Sequence, residues 1–154
     1  MPTKAAPRAS KPSAHPVRDA ADALYRAAKE SCHQHERLSR ILTLGVEDKE
    51  LEGVAKVADH CDRLLAEQTA HYEAIAVAGR GKEPEDWWHA ASGLWLGCRD
   101  YCRRHEQNDA ASSRLKRHSA EQFGELAVEF ELEMSARIAI KQAILEYEKI
   151  RAEV

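Results

Sequence analysis

Apolar residues recur at spacings of three and four along most of the chain, which is the period of an amphipathic α-helix. The pattern predicts a first helix over residues 17–44 and a second over residues 48–78, the second close to a heptad repeat. The first stripe consists of Val17, Ala21, Leu24, Ala28, Cys32, Leu38 and Leu42. The second consists of Leu51, Val54, Ala58, Cys61, Leu65, Gln68, Tyr72 and Ile75. Gly45 stands where a left-handed C-terminal cap is expected, and Gly79 and Gly81 end the second helix.

A third helix is predicted over residues 84–116. Pro84 favours the first turn of a helix, because its missing N–H is not needed there. The acidic residues Glu85 and Asp86 follow it and suit the positive end of the helix dipole. The third stripe consists of Trp88, Ala91, Trp95, Cys98, Cys102 and Leu115.

A fourth helix is predicted over residues 119–153. No glycine or proline separates it from the third helix, but Ser119 followed by Gln122 forms a capping-box pattern. The turn is therefore placed near Arg117 and His118. The fourth stripe consists of Phe123, Leu126, Phe130, Met134, Ile138, Ile144 and Tyr147.

The four segments are of similar length and their connections are short, so consecutive helices are expected to run antiparallel. The sequence therefore predicts an all-α fold, an antiparallel up-down-up-down four-helix bundle with long helices over residues 17–154. Residues 1–16 carry four prolines, three Lys or Arg and little apolar surface. Such a segment cannot offset the entropy of ordering, so a disordered, basic, Pro/Ala-rich tail is expected.

The composition sets bounds on function. The chain has 154 residues and a formal net charge of −3, which favours one domain and argues against wholesale phosphate binding. No stretch approaches a membrane span, and the N-terminus lacks the apolar core of a signal peptide. The protein is therefore expected in the cytoplasm, with its four cysteines as free thiols.

Charge is distributed unevenly over the second half of the chain. Residues 99–118 hold six Lys or Arg and three acids, whereas residues 119–136 hold five glutamates and no Lys or Arg. Glutamates one turn apart repel each other, so the acidic face is expected beside the basic segment of the preceding helix. A carboxylate site or a partner-binding surface is the alternative explanation.

The cysteines form the one candidate metal site. A helical hairpin brings together positions whose numbers sum to a constant, and turns centred near residues 46 and 81 place all four thiols at one level. Thiolates converging from three helices would suit zinc or copper(I), although no bound metal remains the more expected state. Alternatively the thiols pack as small hydrophobic groups or form a redox pair. The candidate ligands are Cys32, Cys61, Cys98 and Cys102.

Tryptophans and glycines of the third helix form a candidate interface. Trp88 and Trp95 are seven residues apart and are expected to share the core face, so Trp87 should lie at the edge of the core or be exposed. Gly93 and Gly97 let another backbone approach closely. Either the glycines serve tight packing within the chain, or Trp87, Gly93 and Gly97 form a subunit contact.

These observations favour a non-enzymatic helical bundle that acts through protein–protein interaction or self-assembly. The first alternative is a soft-metal or thiol-redox protein that uses the cysteines. The second is a nucleic-acid accessory factor that uses the basic tail and the segment Arg99–Arg117. No catalytic constellation is visible in the sequence.

Overall fold

The computed structural model describes residues 14–45, 47–79, 82–114 and 120–153. Within them the chain forms four α-helices and no strand, which confirms the all-α prediction. The helices are α1 (Pro16–Leu44), α2 (Asp48–Gly79), α3 (Glu85–Arg114) and α4 (Ala120–Glu153). Most of the predicted tail, Gly81, Leu115 and the predicted turn at Arg117 and His118 lie outside the described residues.

Local chemistry explains the helix ends. Gly45 adopts a left-handed conformation with φ of 69°, and its N–H donates to the Ile41 carbonyl at 3.2 Å, which confirms the predicted cap. Pro84 directly precedes α3, and its carbonyl accepts the Trp88 N–H at 3.0 Å. The Asp86 carboxylate accepts the Trp87 N–H at 2.9 Å, which satisfies one of the unpaired donors of the first turn.

Contacts between distant residues show which helix ends meet. A Cβ added to Gly79, at the end of α2, would lie 2.9 Å from Cγ2 of Val17, at the start of α1. The Tyr147 hydroxyl, near the end of α4, donates to Asp22 of α1 at 2.8 Å. The last turns of α2 and α4 therefore both lie beside the first turns of α1.

The core is built from one side of each helix. Side chains of α1 (Val17, Leu24), α2 (Leu65), α3 (Leu94) and α4 (Ile140) meet in one buried cluster. Its largest fully buried members are Trp87, Tyr101, Tyr147, Leu24, Leu65, Leu94, Ile140 and Cys98. No helix, over the described residues, has an apolar stretch long enough to cross a membrane.

The predicted exposure of Trp87 is wrong. Trp87 is only 2% exposed, and its ring packs edge-to-face on Trp88 and Tyr147, with centroids 5.3 and 6.3 Å apart. The core side of α3 runs through Trp87, Ala91, Leu94, Cys98 and Tyr101, which is one residue before the expected stripe at three positions. Trp88 and Trp95 consequently lie at the border of the core.

The predicted stripe of α4 is wrong at Phe130, Met134 and Ile138, which are 56%, 47% and 57% exposed. The buried positions are instead Glu133, Ala136, Ile140, Ile144 and Tyr147. α4 carries apolar residues on two sides, and packing against α3 decides between them. Gly97 of α3 lies beside Ile140, whose Cα an added Cβ would meet at an ordinary contact distance of 3.8 Å.

The core assignment predicts a contrast between two leucines of α1. Leu24 is fully buried, so Leu24→Ala should lower the free energy of unfolding by about 2–5 kcal/mol through lost burial and a cavity. Leu42 is 61% exposed, so Leu42→Ala should change it by less than about 0.5 kcal/mol. Urea unfolding followed by circular dichroism measures both. Equal costs would contradict the assigned packing of α1.

Candidate functional site

A cluster of polar side chains crosses the bundle, and each of the four helices contributes to it. We call this cluster the polar layer. It consists of Ser31 and His35 of α1, Asp62 of α2, Tyr101, His105 and Asn108 of α3, and Glu133 and Arg137 of α4.

Asp62 is the centre of the polar layer. Its carboxylate is buried and accepts hydrogen bonds from Ser31 (2.7 Å) and Tyr101 (3.0 Å) at Oδ1. At Oδ2 it meets Nε2 of His35 at 2.7 Å and Nε2 of His105 at 3.5 Å. Four side chains from α1 and α3 therefore converge on one carboxylate of α2, which ties the three helices together.

Glu133 forms the second half of the polar layer. Its Oε1 meets Nδ1 of His105 at 2.8 Å and the Arg137 guanidinium at 3.6 Å, and its Oε2 accepts a hydrogen bond from Asn108. His105 thus places its two ring nitrogens between the carboxylates of Asp62 and Glu133. Protonated His105 and Arg137 would balance the two negative charges, which is how buried carboxylates are usually tolerated.

The protonation equilibria follow from this geometry. Burial raises the pKa of Asp62, but the hydrogen bond and positive charge of His35 and the Ser31 hydroxyl outweigh it, so the pKa is lowered. Burial likewise opposes ionisation of Glu133, and the hydrogen bonds from His105 and Asn108 lower its pKa overall. The hydrogen bond to Glu133 is the main cause that raises the pKa of His105.

The polar layer reaches the surface on two sides. Between α2 and α3, Asp62, Tyr101 and His105 line a pocket of about 480 Å³. Between α1 and α4, His35 and Arg137 line a groove of about 370 Å³. Tyr101 stacks on His105 beside the first of these openings, with ring centroids 6.0 Å apart. The layer can therefore exchange protons with solvent without the bundle opening.

Sequence reasoning missed the polar layer, although a signal was present. Its members on one helix recur at helical spacing: Tyr101, His105 and Asn108 on α3, and Glu133 and Arg137 on α4. These positions extend the core stripe of their helix with polar residues. An apolar pattern does not detect these positions, because the stripe continues there with polar residues. The ion pairs also join residues that are far apart in the sequence.

Electrostatic interactions link the four predicted metal ligands, either to one another or through Asp62. All four cysteines are free thiols. Cys32 and Cys102 act on Cys98, and the Asp62 carboxylate acts on Cys32, Cys61 and Cys102. Within the described part of the chain, no group of three or more His, Cys, Asp or Glu side chains is arranged to hold a metal ion. The zinc or copper site stays a prediction.

Burial decides the reactivity of these thiols. Burial raises the pKa of Cys98 well above its ordinary value and raises that of Cys102 to about 11, although Thr69 acts to lower the latter. It also raises the pKa of Cys32. Because the thiolate is both the nucleophile and the metal ligand, these three cysteines are held in the unreactive form at neutral pH.

The predicted interface residues separate. Trp87 is enclosed by its own chain, so its side chain is not on the surface. Gly97 packs within the chain, where an added Cβ would lie 3.6 Å from Cγ1 of Ile140. Gly93 is exposed, with nothing within 4 Å of an added Cβ. Of the three residues, only Gly93 is accessible to another molecule.

Within the described residues of α3, the basic side chains of Arg99 and Arg103 contact neighbours on the same helix. The Arg99 guanidinium lies over the Trp95 ring at 4.7 Å, and Arg103 donates to Asp100 at 2.9 Å. Glu133 meets α3 through His105 and Asn108, not through an arginine of that helix. The nucleic-acid role of this segment and the tail stays a prediction.

The geometry defines an all-α protein with a charge-balanced polar layer in its interior. Comparisons with known proteins add no relative to this description: no family model matches the chain, and no curated protein or solved structure matches it. The function is therefore argued from the residues themselves.

The polar layer predicts a bell-shaped dependence of stability on pH. The raised pKa of His105 contributes stability that is fully present below about pH 6.5, its unfolded value, and is lost as the pH rises through the folded value. The lowered pKa values of Asp62 and Glu133 contribute stability present above about pH 4 and lost as the pH falls through their folded values.

Urea unfolding at a series of pH values measures this profile. Stability should be greatest between about pH 4.5 and 6.5 and should decline on both sides. His105→Gln keeps a hydrogen-bonding side chain but cannot titrate, so its stability should decline less above pH 6.5 than that of the wild type. Parallel alkaline declines in the two proteins would contradict the assigned role of His105.

Gly93 offers a direct test of the predicted interface. An added Cβ meets nothing, so Gly93→Ala should raise the free energy of unfolding by up to about 1 kcal/mol through helix propensity. If the glycine serves a subunit contact, the same change should instead weaken association. Thermal unfolding and light scattering of wild type and variant distinguish these results, and Gly53→Ala on α2, equally open, is the matched control.

Proposed function

We propose that this protein is a non-enzymatic antiparallel up-down-up-down four-helix bundle that assembles with a second copy of itself through the exposed apolar side of α4. The supporting observation is a set of exposed apolar side chains on one side of a helix whose other side is buried in the core. The set, which we call the α4 stripe, consists of Phe130, Met134, Ile138 and Leu145.

Pair contacts support the antiparallel arrangement. In α1 and α2, Val17 lies by Gly79 and Ser31 by Asp62, so residue numbers rise in one helix as they fall in the other. In α3 and α4, Gly97 lies by Ile140 and His105 by Glu133 in the same opposed sense. The same relation holds between α2 and α3, where residues 72–77 line one pocket with residues 85–95 and residues 59–66 line another with residues 101–109.

The α4 stripe is held outward by the polar layer. Glu133 and Arg137 point into the layer, where they contact His105 and Tyr101 of α3. Successive residues of an α-helix are rotated by about 100°, so Met134 and Ile138 lie to one side of their inward polar neighbours and line the groove beside His35 and Arg137. The stripe therefore cannot turn into the core without breaking the ion pairs.

Exposed apolar residues grouped on one face are typical of an interaction surface. The stripe has members 56%, 47%, 57% and 58% exposed, in chain order, and Met134 and Ile138 also line the groove between α1 and α4. Spacings of four, four and seven keep the four side chains on one side of the helix. Burying this stripe against another helix would favour association by about 25 cal/mol for each Å² of apolar surface removed from water.

Charge complementarity favours a second copy as the occupant. Residues 120–135 of α4 carry five glutamates and no Lys or Arg, whereas residues 136–153 carry four Lys or Arg and three glutamates. Two α4 helices that cross antiparallel at Met134 would place the acidic half of each beside the more basic half of the other. Phe130 of one copy would then lie opposite Ile138 of the other. In a dimer with a two-fold axis the same surface of both copies is in contact, so that surface must be complementary to itself.

The raised pKa values of the buried thiols support a non-enzymatic role, because they deprive the cysteines of nucleophilic character. The carboxylates of the polar layer are engaged by several donors each, as expected for groups that fix packing. Their role in this proposal is to set which side of α4 faces outward.

Light scattering after gel filtration tests the proposal. The wild type should have the mass of a dimer, and Met134→Glu should be monomeric, because two glutamates would meet at the centre of the contact without a partner charge. Val77→Glu is the matched control, since Val77 lies on α2 and is 82% exposed. It should leave the dimer intact.

Circular dichroism should show the same helix content in all three proteins, which excludes unfolding as the cause of dissociation. Higher salt should weaken the dimer moderately, because the flanking ion pairs are screened. A wild type that stays monomeric at every concentration examined, or a Met134→Glu variant as dimeric as the wild type, would refute assembly through the α4 stripe.

A further inference from the structure

A second surface feature lies between α2 and α3, on helices that do not carry the α4 stripe. It is a pocket of about 560 Å³, within the range of small-molecule sites in proteins. We call it the aromatic pocket. Its chemically distinctive lining residues are Tyr72, Glu73, Glu85, Trp88, His89 and Trp95.

Two polar atoms of this lining have no hydrogen-bond partner among the described residues. They are the Tyr72 hydroxyl and the indole Nε1 of Trp95, and both are shielded from solvent. The Tyr72 side chain belongs to the core and is only 3% exposed, and burial raises its pKa to about 12. A buried donor without a partner costs free energy. One such donor belongs to each of the two helices that line the pocket, where a ligand with an acceptor group would satisfy it.

The remaining walls define the chemistry of the ligand. Trp88 and Trp95 supply flat apolar surfaces two turns apart on α3, while Glu73 of α2 and Glu85 of α3 add carboxylates to the lining. Trp95 already carries the Arg99 guanidinium over one face of its ring at 4.7 Å, a contact that aromatic rings make with cations. The combination suits a planar ring with a positive charge.

We propose that the aromatic pocket binds a small aromatic amine. The ring packs against Trp88 and Trp95, the ammonium group faces Glu73 and Glu85, and a polar substituent on the ring hydrogen-bonds with Tyr72 and Trp95. The side-chain adjustment that brings the two shielded atoms to the ligand is of the kind common on binding. The proposal is independent of self-assembly, because the α4 stripe contributes no residue to this pocket.

Three probes with the same ring but different charge test it: tyramine, p-cresol and 4-hydroxyphenylacetate. Proton–nitrogen correlation spectra of the full chain resolve its three indole N–H groups, which Trp88→Phe and Trp95→Phe assign. Tyramine should shift the Trp88 and Trp95 signals saturably, p-cresol should bind more weakly and 4-hydroxyphenylacetate most weakly. Absence of saturable shifts with all three probes, or equal affinities, would overturn the proposal.

Charge-neutralising variants separate the carboxylates from general hydrophobic binding. Glu73→Gln and Glu85→Gln should each weaken tyramine binding several-fold and leave p-cresol binding unchanged. Glu52→Gln is the matched control, because Glu52 also lies on α2 but pairs with Lys56 outside the pocket. Loss of p-cresol binding in the two pocket variants, or no change with tyramine, would refute the assigned role of the carboxylates.

Tyr72→Phe tests whether the unpaired hydroxyl serves the ligand or the fold. The variant should be at least as stable as the wild type, because it removes a buried group that has no partner. It should bind tyramine about fivefold more weakly, the loss expected for one hydrogen bond. A destabilised variant with unchanged tyramine affinity would show a structural hydroxyl and would count against the proposal.

Discussion

The rest of the structure depends on the buried carboxylate of Asp62. A charge in this position is tolerated only because donors from α1 and α3 surround it, with Ser31 and Tyr101 at one oxygen and the two histidines at the other. Each donor restricts how far its helix can slide or rotate. Hydrophobic burial drives the helices together, but it is non-directional and leaves several rotations nearly equivalent. The carboxylate selects among them.

The same network carries this selection to α4. His105 joins Asp62 to Glu133, and Glu133 together with Arg137 fixes the rotation of the last helix. That rotation buries Ile140 against Gly97 and turns Met134 outward. The surface proposed for self-assembly is therefore a consequence of an interior electrostatic arrangement. Titration of His105 therefore acts directly on Glu133, and Glu133 orients the helix that carries the proposed interface.

The aromatic pocket and the polar layer lie between the same pair of helices, α2 and α3, at different levels. Tyr72 and Trp95 belong to the pocket, and Asp62 and His105 to the layer. Each region holds two shielded polar atoms without a partner, Asn108 Oδ1 and Arg137 Nε in the layer and the Tyr72 hydroxyl and Trp95 Nε1 in the pocket. The layer is assigned to structure because its carboxylates collect several donors each, and the pocket to binding because of its volume and aromatic lining.

Apolar periodicity and helix-end chemistry are local properties, so the amino-acid sequence alone predicts the four helices, the cap at Gly45 and most of the buried positions of α1 and α2. Two features appear in the folded structure alone: the burial of Trp87 in place of Trp88, and the side of α4 that faces inward. Both choices depend on close packing between helices, and α4 is apolar on two sides. The ion pairs of the polar layer join residues from all four helices, so no local pattern could have assembled them.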